Sequence, residues 1–319
     1  MTGIASQKIT LGISSCLLGQ EVRFDSSHKH NRYITSTLGE YFDFRPFCPE
    51  VAIGLGIPRP PVRLVQVDGA IRVRGVRDPD RDVTDDLRAY AQEAGPQCAD
   101  ISGYIFKSKS PSCGMERVKI YSKEGQPVDS TSGVFAAGIM QQYPSLPVEE
   151  EGRLMDPHLR ENFIERVFIY HRWQQYLAEG LSPGALVDFH TRHKYVVLAH
   201  HEPSYQRLGR LVADAGNRDL QKTLDSYIAI LMQALRMIAT NRKHTNVLQH
   251  IMGYFKAQLG KGDKEELLDV IEEYRCERLP LIVPITLIKH WLRIYPNKYI
   301  ASQYYLNPHP RELKLRNQI

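Results

Sequence analysis

The chain has 319 residues, 42% of them hydrophobic and 24% charged, with a net charge of +5. That length accommodates two domains, and the hydrophobic share is ordinary for a globular protein. No apolar run approaches the ~20 residues that span a bilayer, and Met1 to Ser6 lacks the character of a signal peptide, so the expectation is a cytoplasmic protein without membrane contact.

In chain order, Ile9 to Ser15 is an apolar, β-leaning run that ends at Cys16. Val22 to His30 is a polar loop, and Thr35 to Gly39 reads as a short helix. Phe44 to Cys48 is a second strand, followed by the breaker-rich stretch Val51 to Pro61. Val62–Val67 and Ala70–Val76 alternate around Asp68-Gly69, which predicts a hairpin. Asp82 to Ala94 carries acids in its first turn and predicts a helix closed by Gly95-Pro96. Ile101 to Phe106 is a buried strand leading into Lys107-Ser108-Lys109-Ser110-Pro111-Ser112-Cys113-Gly114. Val118–Tyr121 adds a strand and Gly133–Gln142 a helix. Alternating strands and helices predict an α/β first domain, residues 1–146, with a mainly parallel sheet plus a hairpin.

Pro144, Pro147 and the acidic run Glu149-Glu150-Glu151 predict a linker over 147–158. Residues 159–319 then show helical periodicity from Asn162 to Arg293, which predicts an all-α helical bundle. Charge divides the same way: 17 Lys+Arg face 18 Asp+Glu up to Glu150, and 24 face 18 beyond it. Ten of the twelve histidines lie in the second part. A modest basic excess is common on solvated helix faces, but it leaves RNA contact through the helical domain and homodimerisation as expectations. His190 and His193 share a helix face, yet the carboxylate or cysteine pattern that supports a metal site is missing.

Five cysteines is an odd, low count, and a free cysteine is most often a small buried apolar residue. Cys98 and Cys276 take that reading. Cys16, Cys48 and Cys113 differ, because each lies at or just past the end of a predicted strand with glycine or proline nearby. In an open parallel sheet such strand ends share one edge, where ligands bind. The spacing alone matches no zinc or ferredoxin signature.

Ser14-Ser15-Cys16-Leu17-Leu18-Gly19 with Val22-Arg23-Phe24-Asp25, Cys48-Pro49-Glu50-Val51 with Gly54-Leu55 and Pro58-Arg59, and the Lys107–Gly114 stretch together resemble the TudS-like thiouracil desulfidase family. Phe189-His190, His193-Lys194-Tyr195, Tyr299 to Gln303 and Pro308-His309-Pro310 resemble the YbgA-like helical domain, which brings no assigned chemistry. The first resemblance implies a Rossmann-like sheet and a [4Fe-4S] cluster held by Cys16, Cys48 and Cys113. It also implies catalytic roles for Glu50 and for a serine of the last motif, placed at Ser110. Ser26-Ser27 stands where many relatives have glycine.

The expected activity is non-redox removal of sulfur, as sulfide, from a thiolated pyrimidine such as 4-thiouracil or its nucleoside monophosphate. Lys29, Arg59, Lys107 and Lys109 are the candidate substrate-binding cations, each of which is otherwise a surface charge. The alternative function is a zinc- or cluster-stabilised RNA-binding or sensory protein without desulfidase activity. A cluster-dependent lyase acting on another substrate is a third.

Overall fold

A computed structural model describes residues 8–310, 313 and 315–317. The chain divides into two compact units between Met155 and Asp156. The strands of the first unit are β1 (Ile9–Ser14), β2 (Phe42–Phe47), β3 (Val62–Val67), β4 (Ala70–Gly75), β5 (Tyr104–Phe106), β6 (Val118–Tyr121), β7 (Pro127–Thr131) and β8 (Val148–Glu150). Its α-helices are α1 (Pro49–Ala52), α2 (Thr84–Ala94) and α3 (Val134–Gln142).

These strands form two four-stranded sheets where one sheet and a hairpin were expected. The first has the order β2-β1-β5-β8, and every pairing in it is parallel. Leu11, Ile13, Tyr104, Ile105 and Phe106 are fully buried there, as expected of strands covered on both faces. Gly12 lets the Tyr104 ring cross β1: a Cβ at that position would stand 2.4 Å from the ring.

The second sheet has the order β4-β3-β6-β7 and contains two antiparallel hairpins joined by a parallel β3–β6 pairing. The β3–β4 turn carries positive φ at both Asp68 (51°) and Gly69 (82°), the geometry that matches strand twist in a two-residue hairpin. Leu64, Val73, Leu87, Val118 and Ile120 form the core of this part.

The predicted linker over 147–158 is corrected by the structure. Val148–Glu150 is the edge strand β8, pairing with β5 in parallel register, and Pro157 already lies in a helix. Two prolines and three acids look like solvated linker, but the short strand is fixed by backbone pairing to β5.

The second unit is helical, as expected: α4 (Pro157–Glu179), α5 (Pro183–His200), α6 (Glu202–Ala213), α7 (Leu220–Leu235), α8 (Asn241–Met252), α9 (Lys261–Arg275), α10 (Ile282–Ile294) and α11 (Lys298–Ala301). Helix α4 starts five residues before the first periodic residue, because Asp156 caps it by accepting from the His158 and Leu159 amides and Pro157 suits the first helical position. Ser182-Pro183 starts α5 in the same way. Trp173 anchors the core, 5.4 Å from Tyr227 and 5.2 Å from Phe189 between ring centres. Cys98 is buried, but Cys276 is exposed at the end of α9, so the apolar expectation fails there. Among the described residues, no helix is long and apolar enough to cross a membrane.

Candidate active site

Strands β2, β1 and β5 lie side by side and run the same way, with Ser14 level with Phe47 and Ile13 level with Ile105. Their carboxyl ends therefore deliver Cys16, Cys48 and the Lys107–Gly114 loop to one edge of the sheet. A cavity of about 360 Å³ opens there. It is lined by all nine residues singled out from the sequence: Cys16, Cys48, Cys113, Glu50, Ser110, Lys29, Arg59, Lys107 and Lys109.

Each cysteine is presented by a turn. Cys16 sits in a single 3-10 turn (Ser15–Leu18) that ends at Gly19 in the left-handed region, φ 90°. Cys48 is extended and immediately precedes α1, with Pro49 at its first position. Cys113 is held by the Ser110 hydroxyl, which accepts from the Cys113 amide at 3.1 Å, and by the Gly114 amide donating to the Ser110 carbonyl at 2.8 Å. The start of α3 locks this turn: the Val134 amide donates to Pro111 O and the Ala136 amide to Ser112 O, both at 3.0 Å. Gly133 makes that approach feasible, since a Cβ there would lie 2.6 Å from the Ser112 carbonyl carbon.

All three thiols are free. Burial raises the pKa of Cys16, with the charges of Arg23 and Lys107 pulling the other way. Burial also raises Cys48, and raises Cys113 furthest, with the Glu50 charge adding to it. Coordination to a metal would oppose that upward shift, because a coordinating thiol is deprotonated. Among the described residues, no group of three or more His, Cys, Asp or Glu is placed to hold one metal ion. The three thiols line one cavity from separate loops. Three soft thiol donors around one cavity fit a cluster, which distributes its thiolates over separate irons.

Glu50, in the first turn of α1, is tightly held. Its Oε1 accepts from Ser112 Oγ at 2.6 Å, and its Oε2 accepts from Arg59 Nε at 2.9 Å and Nη2 at 2.6 Å. Ser110 Oγ lies 3.0 Å from Ser112 Oγ. Ser112, which the sequence reading left without a role, is the serine in direct contact with Glu50. Its place within a serine-rich turn gave no signal separating it from Ser110.

The four candidate cations divide into two pairs. Arg59 is buried and its guanidinium is engaged by Glu50 and by the carbonyls of Val22 and Gly56. Lys107 Nζ pairs with Glu151, which also accepts from the Ser108 amide and hydroxyl at 2.8 Å. Lys29 and Lys109 are exposed at the cavity, Lys109 with φ 60°.

Three further contributions were missed. Arg23 lines the cavity, its guanidinium 5.3 Å from the Phe24 ring centre and its Nε 3.6 Å from Asp25. Ser14 accepts from the Lys107 amide at 2.9 Å, and its hydroxyl acts to lower the Cys113 thiol pKa against the effect of burial. The acidic run read as linker braces the site instead: Glu151 holds Lys107 and Ser108, and Glu150 accepts from the Met115 amide at 2.9 Å. Ser26, in the place of an expected glycine, adopts φ 57°, so the backbone keeps the shape that glycine favours.

The histidines of the second unit make no metal site among the described residues. His190 meets the Tyr227 hydroxyl at 3.2 Å, and His193 donates from Nδ1 to the Phe189 carbonyl at 2.7 Å while its ring stacks on Phe189. Glu161, Glu165, His200, His244 and Arg316 are all buried there. Arg316 reaches Glu161 at 3.2 Å and Glu165 at 3.3 Å, and His200 Nε2 lies 2.8 Å from Glu165.

Residues 11–151 match the family described as 2-thiouracil desulfurase, and residues 194–310 match a family of unknown function, DUF1722. The uncharacterised Escherichia coli (strain K12) protein YbgA is 36% identical over 158 residues, spanning 49% of this chain and 94% of that protein. The uncharacterised Bacillus subtilis (strain 168) protein YbbK is 31% identical over 140 residues, spanning 40% of this chain and 88% of its own length. A solved structure described as a [4Fe-4S]-dependent thiouracil desulfidase, TudS, is 31% identical, with a TM-score of 0.36, covering 46% of this chain and 94% of its own. The chain therefore belongs to the 2-thiouracil desulfurase family through its first unit and to the DUF1722 family, with YbgA, through its second.

Proposed function

We propose that this chain is a non-redox desulfidase that converts the C=S group of a thiolated pyrimidine, 4-thiouracil or its nucleoside monophosphate, to C=O with release of sulfide. The observation that carries this reading is the meeting of three free thiols, Glu50 and Ser110 at one cavity on the parallel sheet edge. Cys16, Cys48 and Cys113 would hold a [4Fe-4S] cluster, which supplies a Lewis-acidic iron with an affinity for sulfur. The protein's own groups handle water and protons. Glu50 is the proton-accepting group for an attacking water, oriented by Arg59 and Ser112. Ser110 presents its hydroxyl oxygen, as an acceptor, to the substrate or to that water. Water adds oxygen to the carbon and sulfur leaves as sulfide, so no electrons are transferred overall.

Lys29 and Lys109 are the proposed partners of a substrate phosphate; Arg59 and Lys107 instead organise Glu50 and the Ser108 loop. The test is anaerobic reconstitution, followed by loss of thiouracil absorbance and measurement of released sulfide. A cluster-loaded protein that turns over no thiolated pyrimidine would overturn the reading. Turnover of another thiolated compound alone would indicate a different lyase. Salt-dependent RNA binding that survives Glu50→Ala, without desulfidation, would indicate the RNA-binding or sensory alternative.

A further inference from the structure

The buried arginine beside Glu50 has the wrong surroundings for a substrate contact. Arg59 is 7% exposed and four of its five N–H groups have acceptors inside the protein: two on Glu50 Oε2, one on Val22 O and one on Gly56 O. Its own amide donates to Phe24 O at 2.9 Å, so both ends of the residue are tied down. Ser112 is 1% exposed and occupies the other carboxylate oxygen at 2.6 Å.

The direction of these hydrogen bonds follows from the donors available. Ser112 has one hydroxyl proton, and the acceptor-only carboxylate takes it. Across the 3.0 Å pair of serine hydroxyls, Ser110 must then be the donor. Ser110 Oγ also accepts from the amides of Ser112 (3.4 Å) and Cys113 (3.1 Å), which fixes its orientation. The result is one ordered chain, Arg59 to Glu50 to Ser112 to Ser110, with its last member lining the cavity.

We propose that Arg59 and Ser112 are positioning residues that hold Glu50 in a single orientation and couple it to the substrate through the Ser110 hydroxyl. This rests on the desulfidase reading and deepens it. Arg59 acts through Glu50 and does not bind the substrate's phosphate. Ser112, not Ser110, is the link without which Glu50 and the cavity hydroxyl are disconnected.

The experiment uses the full chain, loaded anaerobically, as the variants E50Q, S112A, S112T, R59M, R59K and E50Q/S112A. Iron content and visible absorbance are read alongside KM and kcat for 4-thiouracil and its nucleoside monophosphate. Iron content and absorbance are expected to stay at the parent level in every variant. S112A is expected to lower kcat at least about tenfold with KM within about twofold, and S112T to restore most of it. R59M is expected to lower kcat without raising KM for the monophosphate, with R59K intermediate. The double variant is expected to be no slower than E50Q, because residues acting as one unit are not additive. A selective rise in KM for the monophosphate in R59M would overturn the assignment of Arg59, and unchanged kcat in S112A would overturn that of Ser112. If E50Q itself keeps full kcat, the role of Glu50 falls, and this proposal with it; that outcome differs from S112A being silent while E50Q is inactive.

Discussion

At the edge of the parallel sheet, three thiols, Glu50 and Ser110 line a cavity of about 360 Å³, whereas Glu161, Glu165, His200 and His244 of the helical unit line one of about 20 Å³. Glu161 and Glu165 in that second group are paired with Arg316, and His200 is held between Glu165 and the Met237 carbonyl. The first arrangement leaves donors and acceptors facing open volume. The second closes them on each other, in a space of the order of one water molecule. Buried polar residues are thus an ambiguous sign of function until the volume they face is known.

The largest expected effect separates the two regions outright. Cys16→Ser, Cys48→Ser and Cys113→Ser should each abolish iron loading and lower desulfidation by more than about 100-fold, beyond what outer partners of a metal site contribute. Circular dichroism of the helices should not change. Retention of iron by any one of them would remove that thiol from the ligand set.

Next, Arg316→Met should lower the unfolding free energy by about 3–5 kcal/mol, because it removes the buried guanidinium paired with both Glu161 and Glu165. Chemical denaturation measures this, and a loss under about 1 kcal/mol would show the cluster to be dispensable. The variant's iron content should remain that of the parent.

Acidity should sharpen the contrast further. Burial lowers the pKa of His190 and His309 to about 4, and of His193 and His244 to about 3, against an ordinary value of about 6.5. The unfolded chain then binds protons that the folded chain refuses, so stability is full above about pH 6.5 and falls as the pH drops toward 4. Burial acts oppositely on Glu161, raising it to about 7, so its contribution runs the other way between about pH 4.5 and 7. Burial would also raise Glu165, but the His200 hydrogen bond and neighbouring positive charges hold it at about 2, adding a loss below about pH 4.5. Four histidines outweigh one glutamate, so the helical signal should melt at lower temperature at pH 5 than at pH 7.5. His193→Phe should flatten that dependence, its ring already stacked on Phe189 at 4.1 Å.

The smallest effect concerns the exposed lysines. Lys29→Ala or Lys109→Ala should raise KM for a thiolated monophosphate by no more than about fivefold and leave the free base unaffected, as befits exposed charges. An equal effect on both substrates would argue against a phosphate contact.

The cysteine-bearing edge was legible because each thiol follows an apolar run and adjoins residues that turn the chain. The Asp68-Gly69 hairpin was legible for a similarly local reason. Strand β7 was not, because Pro127 to Ser130 is exposed and lacks the alternation that marks a half-buried strand. Strand β8 was read as linker because its pairing with β5 comes from residues more than forty positions earlier. The pairing of Lys107 with Glu151, forty-four positions on, was hidden for the same reason, and that of Arg59 with Glu50, nine positions back, by the breaker-rich loop between them.

Gly133 carries a consequence for any survey of substitutions in this protein. It contributes no side chain and touches no reacting atom, yet even one added methyl would press on the peptide that presents Cys113. Gly133→Ala should therefore pass as a conservative change on paper and behave in the assay like damage to a sulfur ligand. A residue without chemistry of its own sets the mechanical tolerance of the chemistry next to it.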